Sequence, residues 1–402
     1  MQLRRVLFAF ELGGNWGHLS RAIPVALALR ERGYQALFAV RDSGTAEAFL
    51  APLRFPFINA PAPTAPPRRA LPPANYADSL ISEGYANPDA LRGTIRSWLT
   101  LFGLIQPALL VADFAPAAML AARVSGCPLV VLGNGYEIPP PVGPSPSIRP
   151  WESISEARLG AADDELLACM NAALTSFGGR PLRDLAELHT GPRMLLATFP
   201  ELDQHGPRST GTYIGTIYCT PAQGIEVPGL GDARPRILGY LRPHTRGLRG
   251  LVEVVKATGQ GVLCIPKADA DIPASGSGCR IYTSALKLDS LLPQADLMVT
   301  NGSSGTTARA LLAGVPVLTL PNTVEQRLTG LRVEALGAGR MALSRTQQSL
   351  REAVESLIGD ERFRIRAREF AGRYKGETTE LAVGRAVAMI ESAARQRSLQ
   401  PP

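Results

Sequence analysis

The run ADLMVTNGSSGTTARALLAGVPVLTLPNTVEQ, residues 295–326, decides how the chain is read. An apolar stretch, Leu297–Thr300, passes directly into the loop Asn301-Gly302-Ser303-Ser304-Gly305-Thr306-Thr307. A helical pattern starts at once, and a second apolar stretch, Val315–Leu320, follows it. Strand, loop, helix and strand in that order are the unit of a parallel α/β sheet. The loop has the chemistry of a phosphate cradle. Its glycines admit an anion close to the backbone, the helix start offers unpaired N–H groups, and the hydroxyls add donors. A plain capped helix has the same local pattern, so the loop alone leaves both readings open.

The same unit recurs earlier in the chain. Arg5–Phe10 is an apolar run, Glu11–His18 a glycine loop, Leu19–Arg32 an amphipathic stretch stopped by Gly33, and Ala36–Val40 another apolar run. Leu109–Ala112, Pro116–Ser125 and Pro128–Leu132 repeat it, as do Arg236–Leu241, Leu248–Thr258 and Gly261–Pro266. The chain therefore reads as two α/β halves, each a Rossmann-like parallel sheet. Residues 1–205 form the first and 235–380 the second, with a linker at 206–234 and a C-terminal helix or tail at 381–402. A cleft between two such halves is a default place for a ligand. The proline-rich stretches 51–73 and 138–150 fit neither helix nor central strand. They are solvent-exposed connections or binding loops.

Composition removes other classes. The chain is 402 residues long and 45% hydrophobic, enough to bury two cores and too apolar for a disordered chain. Its longest apolar runs are broken by Pro107, Pro316 and Pro321, short of a membrane span. The start, Met1–Phe10, lacks the cleavage site of a secretory signal. Five scattered cysteines without a CxxC pair suit reduced thiols and a cytoplasmic location. Four histidines with no ligand spacing predict no catalytic metal. The net charge of +7 rests almost wholly on arginine, a codon habit or an attraction for anions. Nucleotides fit that charge, and acidic lipid leaves room for a peripheral membrane contact. No basic stripe interleaved with aromatics is present, which speaks against nucleic acid. Gly13-Gly14-Asn15-Trp16-Gly17 does not fit the GxGxxG of dinucleotide enzymes.

The run at 295–326 closely resembles the donor motif of nucleotide-sugar glycosyltransferases with two facing Rossmann-like domains, the GT-B fold of the UDP-glycosyltransferase and MurG-type group. "AGVP", a strand, Pro321 and the pair Glu325-Gln326 stand in the family's order and spacing. The resemblance implies that Gly305, Thr306 and Thr307 face the diphosphate and that Glu325 and Gln326 bind the donor sugar. Two positions depart from the pattern. The family's His is Asn301, whose amide can still donate to phosphate. Its acidic ribose-binding residue is Arg309, which cannot accept from a ribose hydroxyl. That mildly favours a deoxynucleotide (dTDP) donor over UDP, or a donor bound differently. Arg242, after "ILGYL", stands where the family contacts donor phosphates, unless it is a surface arginine.

"GGNWGHLSRAIPVALALRERGY" resembles the family's first loop. Gly14 would border the acceptor there and His18 would be the general base, with Asp113 as its carboxylate partner. His18 as an anion contact and Asp113 as a helix cap are the plain alternatives. The segment Val130–Trp151 resembles the loop that borders the acceptor, so that Tyr136, Glu137 and Trp151 either line that pocket or stiffen the loop. The resemblance spans about residues 5–385 and is specific only in these loops. It implies an inverting, metal-independent hexosyltransferase with the nucleotide-sugar as co-substrate, no separate cofactor, and a small-molecule or lipid hydroxyl as acceptor. A non-catalytic helper with this fold and a nucleotide-sugar epimerase are the alternatives.

Overall fold

A computed structural model of the chain describes residues 4–13, 16–64, 72–190, 193–219, 224–266 and 272–397. They fall into two units. The first comprises residues up to Pro200, Pro207–Cys219, and the chain from Thr379 on; the second comprises Glu201–Gly206 and the chain up to Thr378.

In the first unit the elements are β1 (Arg4–Ala9), α1 (Trp16–Glu31), β2 (Tyr34–Val40), α2 (Ser43–Leu50), β3 (Phe57–Asn59), α3 (Tyr76–Ser82), α4 (Pro88–Ile105), β4 (Leu109–Ala112), α5 (Pro116–Ser125), β5 (Leu129–Gly133), α6 (Glu156–Thr175), β6 (Arg193–Leu196) and β7 (Thr212–Tyr213). The strands pair in parallel in the order β3-β2-β1-β4-β5-β6-β7. Helices cover both faces, so the strands are apolar on both sides rather than alternating. Val6 and Phe8 of β1 pack with Leu19, Ile23 and Ala26 of α1. Leu7 and Ala9 pack on the other face with Leu91, Ile95 and Trp98 of α4 and with α5.

The second unit contains β8 (Arg236–Tyr240), α7 (Leu248–Thr258), β9 (Gln260–Cys264), β10 (Cys279–Tyr282), β11 (Leu297–Thr300), α8 (Ser304–Leu312), β12 (Val317–Thr319), α9 (Val324–Leu336), β13 (Gly339–Met341), α10 (Gln347–Gly359) and α11 (Glu361–Arg373). Its strands are again parallel, in the order β10-β9-β8-β11-β12-β13. The apolar faces of α7 and α10, with Leu251, Val255, Leu350 and Val354, close over Ile237, Val299 and Leu318.

The division runs differently from the expected boundaries. Residues 207–219 are no linker: β7 adds to the first sheet, with Thr212 opposite Leu195. A two-residue strand between Gly211 and Gly215, both at positive φ, is too short to mark itself by periodicity. The last helix, α12 (Thr379–Arg397), is no free tail. Ala382, Ala386, Val387 and Ile390 lie in the same apolar cluster as α1. Three helices in succession, α10, α11 and α12, carry the chain from Gln347 to Arg397. Asp360 ends α10 and caps α11, and Gly376, at φ 88°, lies in the turn before α12.

In both sheets the strand order reverses once, between β1 and β4 and between β8 and β11. Loops leaving the carboxyl ends of such neighbours diverge and open a crevice there. This topology sets the loop after β1 beside Asp113, and the loop after β8 beside Asn301.

Candidate active site

At the first crevice, α1 starts at Trp16, which puts His18 in its first turn and Arg21 one turn further on the same face. His18 Nδ1 lies 2.9 Å from Asp113 Oδ1. Arg21 clamps the same carboxylate, with Nη2 2.9 and 2.8 Å from its two oxygens and Nε 3.2 Å from Oδ2. Asp113 is buried, and the carboxylate accepting at Nδ1 leaves Nε2 as the basic nitrogen. Gly13 makes room for that nitrogen. Its φ is 75°, and a Cβ there would stand 2.0 Å from His18 Nε2. Burial pulls the His18 pKa down, but the charge and hydrogen bond of Asp113, together with Glu137, outweigh it and raise it above the ordinary range. Burial pushes the Asp113 carboxyl up, and Arg21 and His18 more than reverse this, holding it below the usual carboxylate range. The two residues expected as base and partner are thus brought together.

The expected acceptor residues separate. Tyr136 lines a cavity of about 340 Å³ whose walls include Leu12, Gly13, Arg41, Ser79 and Phe114. Its ring meets Phe114 edge-on at 6.1 Å. Phe114 itself adopts a left-handed backbone, φ 51°, and its carbonyl accepts the Leu12 N–H. Glu137 does not line that cavity. It is buried, accepts the Asn134 N–H at 2.5 Å, and reaches to 3.5 Å from Arg21 Nη2, so it belongs to the charged cluster around His18. Trp151 lies apart, with its indole N–H donating to Glu152 at 3.2 Å. Gly14 lies outside the described residues.

Sequence reasoning missed two members of this crevice. Arg21 reads as an ordinary residue of an arginine-rich helix, and only its spacing of three from His18 could have marked it. Glu11, fully buried, accepts Tyr85 Oη at 2.7 Å and the N–H groups of Ala117 and Ala118 at 2.9 and 2.5 Å. It caps α5 from a distance, since Ala115 at the cap position has no side chain to do so. Burial raises its pKa to about 7, against the opposing pull of those donors.

At the second crevice the cradle is built around Gly302. Its φ of 89° and the 2.7 Å that a Cβ would leave to the Gln326 carbonyl oxygen bring the loop against the start of α9. Ser303 stands at the cap position of α8, yet its hydroxyl makes no capping bond, whereas Thr323 caps α9. Gly305 faces open space. Ser304 and Thr306 are half-buried in the same first turn. The α8 N-terminus thus keeps the positive end expected of an anion site.

Of the expected donor ligands, Asn301, Arg309 and Gln326 are engaged within the protein and Thr307 is buried. Asn301 is buried, and its amide N–H groups donate to Thr245 Oγ1 at 3.0 Å and the Leu320 carbonyl at 2.9 Å. Its Oδ1 accepts the Arg242 N–H at 2.8 Å. Both donors are spent, so Asn301 ties the β8 and β12 loops together and has none for a phosphate. Thr307 is fully buried, its hydroxyl without a hydrogen-bond partner, so it sits beneath the cradle rather than on it. Arg309 pairs with Asp289 at 2.7 Å. Gln326 is buried and takes the Asn322 N–H on Oε1 at 2.7 Å, while Glu325 is half-buried in the first turn of α9. The Arg242 side chain is exposed beside the Asn301 junction.

Two further residues complete this crevice. Gln204 donates to Ser304 Oγ at 3.0 Å and to Thr329 Oγ1 at 3.3 Å, from a segment expected in the other half. Arg345 donates to the Pro321 carbonyl at 2.9 Å, and burial, with the Arg246 guanidinium, depresses its pKa. Two cations held close at the carboxyl edge of a sheet favour an anion there.

Residues 260–385 match the family model for the C-terminal domain of Erythromycin biosynthesis protein CIII-like proteins. The chain is 26% identical to a PGL/p-HBAD biosynthesis glycosyltransferase of Mycobacterium tuberculosis (strain ATCC 25177 / H37Ra), over 92% of this chain and 88% of that protein. Among solved structures, the calicheamicin glycosyltransferase superposes with a TM-score of 0.70 at 18% identity, over 99% of this chain and 100% of that one. The spinosyn rhamnosyltransferase in complex with thymidine diphosphate superposes with a TM-score of 0.66 at 17% identity, over 96% of this chain and 100% of that one. No helix among the described residues is long and apolar enough to cross a membrane. With two parallel-sheet units of the GT-B fold and an EryCIII-like C-terminal domain, the chain is a glycosyltransferase of the nucleotide-sugar GT-B type.

Proposed function

We propose that this enzyme is an inverting, metal-independent transferase that moves a sugar from a dTDP- or UDP-sugar to a hydroxyl of a small-molecule or lipid acceptor. The observation that carries the reading is the His18–Asp113 pair at 2.9 Å, with the second imidazole nitrogen set over Gly13. In this reading His18 Nε2 takes the proton of the acceptor hydroxyl as that oxygen attacks the anomeric carbon. The nucleoside diphosphate leaves from the opposite face, so a single displacement inverts the configuration. Asp113 holds the imidazole in the tautomer that leaves Nε2 basic, and stabilises the imidazolium that forms.

The second unit would hold the donor. The uncapped start of α8 and the exposed Arg242 would offset the charge gathering on the departing diphosphate. Arg309 supports a deoxynucleotide donor, because it offers no acceptor for a ribose hydroxyl; the spinosyn enzyme's complex with thymidine diphosphate points the same way. Metal independence is supported at the His18 crevice. His18, Asp113 and Glu137 lie close enough to share one cation, and the Arg21 guanidinium, at 2.8 Å from Asp113 and 3.5 Å from Glu137, supplies that positive charge. The aromatic and hydroxyl-bearing cavity beside Gly13 is the candidate acceptor site.

The test is donor hydrolysis and binding across UDP-, dTDP- and GDP-sugars, repeated with His18→Ala. The expected outcome is turnover with a dTDP- or UDP-sugar that falls about a hundredfold or more in the variant, with donor affinity unchanged. The absence of both binding and turnover across the panel would overturn the donor assignment, and an unchanged rate in His18→Ala would remove the base.

A further inference from the structure

His18 sits in more charge than a base and its partner require. One carboxylate suffices to orient an imidazole. Here two carboxylates and a guanidinium meet it, from three separate segments: Arg21 from α1, Asp113 from the end of β4 and Glu137 from the loop after β5. Among the described residues these are the charged groups that face His18; the Phe10 ring, just after β1, meets it edge-on at 6.4 Å.

The distances give each group a separate effect. Arg21 engages both Asp113 oxygens, which fixes the carboxylate and also draws on its charge. The same Nη2 stands 3.4 Å from His18 Nδ1, where a cation opposes protonation of the ring. Glu137 approaches that Nη2 at 3.5 Å, and one of its carboxylate oxygens lies within 4.8 Å of a ring nitrogen of His18 and a carboxylate oxygen of Asp113. With both carboxylates and Arg21 ionised, the cluster carries one net negative charge while His18 is neutral. It becomes neutral when His18 gains a proton. Remove Glu137 and the same step takes a buried cluster from neutral to positive, which burial penalises.

We propose that Arg21 and Glu137 are positioning residues of the transfer reaction: Arg21 locks Asp113 in place, and Glu137 supplies the negative charge that proton uptake by His18 neutralises. The proposal rests on the reading of His18 as the base. It assigns Glu137 a role in basicity rather than in acceptor contact, and the raised His18 pKa agrees with that balance.

The experiment is a side-chain NMR titration of His18 in the full chain, paired with the pH profile of donor turnover, in the parent, Glu137→Gln, Arg21→Gln and Arg21→Lys. Glu137→Gln is expected to lower the His18 pKa by about one unit and to cut kcat about tenfold at the plateau, with donor KM unchanged. The acidic limb of the rate profile moves down with it. Arg21→Gln is expected to raise the His18 pKa, and Arg21→Lys to restore it towards the parent because the charge returns. A His18 pKa unmoved in both Glu137→Gln and Arg21→Gln would overturn the proposal. That failure is distinct from failure of the base reading, which His18→Ala tests by rate alone.

Discussion

Asn301 is where the structure departs most sharply from its expected role, and replacing it by alanine separates the two. As a tie between loops, the side chain satisfies the Arg242 N–H, Thr245 Oγ1 and the Leu320 carbonyl from a buried position. Thr245 keeps its own bond to the Arg242 carbonyl in the variant, but the Arg242 N–H and the Leu320 carbonyl lose a partner. At about 1–3 kcal/mol for each unsatisfied buried group, the loss comes to about 3 kcal/mol. For a unit of this size, about 2–4 °C per kcal/mol turns this into a drop of about 6–12 °C in the unfolding midpoint without ligand. A phosphate ligand behaves oppositely. Its removal costs about 1.5–3 kcal/mol of nucleotide affinity and leaves the free protein as stable as before. Calorimetry of the ligand-free protein, with titration of dTDP and UDP, measures both. A midpoint unchanged in Asn301→Ala alongside a tenfold or greater loss of nucleotide affinity would refute the tie and return Asn301 to the phosphate.

Three other outcomes follow from particular contacts. Gly13→Ala would place a methyl 2.0 Å from His18 Nε2 at a residue with φ 75°, so the imidazole must leave Asp113. Turnover is expected to fall about a hundredfold at constant donor KM, and a fully active variant would contradict the placement of His18. Glu11 has a folded pKa of about 7, raised by burial above its ordinary value of 4.5. The native state therefore holds a proton that the unfolded chain gives up, and Glu11's contribution to stability falls as pH rises between those values, by roughly 3 kcal/mol in all. Urea unfolding at pH 5 and pH 8 should show that fall and Glu11→Gln should lessen it; the same slope in both proteins would disprove it. Arg309→Glu frees Asp289 from its 2.7 Å partner and offers an acceptor. UDP-sugar binding should improve relative to dTDP-sugar, and an unchanged ratio would end the ribose argument.

The sequence carried the fold well because both sheets are parallel and covered on two faces, so their strands are short continuous apolar runs bounded by glycine loops. It carried the boundaries poorly. Strand β7 is two residues long, and α12 reads from sequence like any helix that ends a chain; its small apolar stripe, Ala382, Ala386 and Ile390, shows a buried face without saying which unit buries it. The His18–Asp113 pair was legible because each residue follows a strand at the reversal of strand order, where topology alone brings loops together. What escaped was the supporting set. Arg21, Glu11 and Gln204 each act across 90 or more residues, on Asp113, on Ala117 and Ala118, and on Ser304. Apart from its spacing of three from His18, nothing local distinguishes the buried Arg21 from the other arginines of so arginine-rich a chain. Asn301 and Glu137 failed in the opposite direction. A loop motif says which residues stand near a ligand, but not which of them have already spent their donors and charge on the protein itself. In both crevices that decision is made by other elements of the same sheet unit: Thr245 and Leu320, from the loops of the neighbouring strands, for Asn301, and Arg21, from helix α1, for Glu137. It is therefore a property of the three-dimensional pairing and not of either motif.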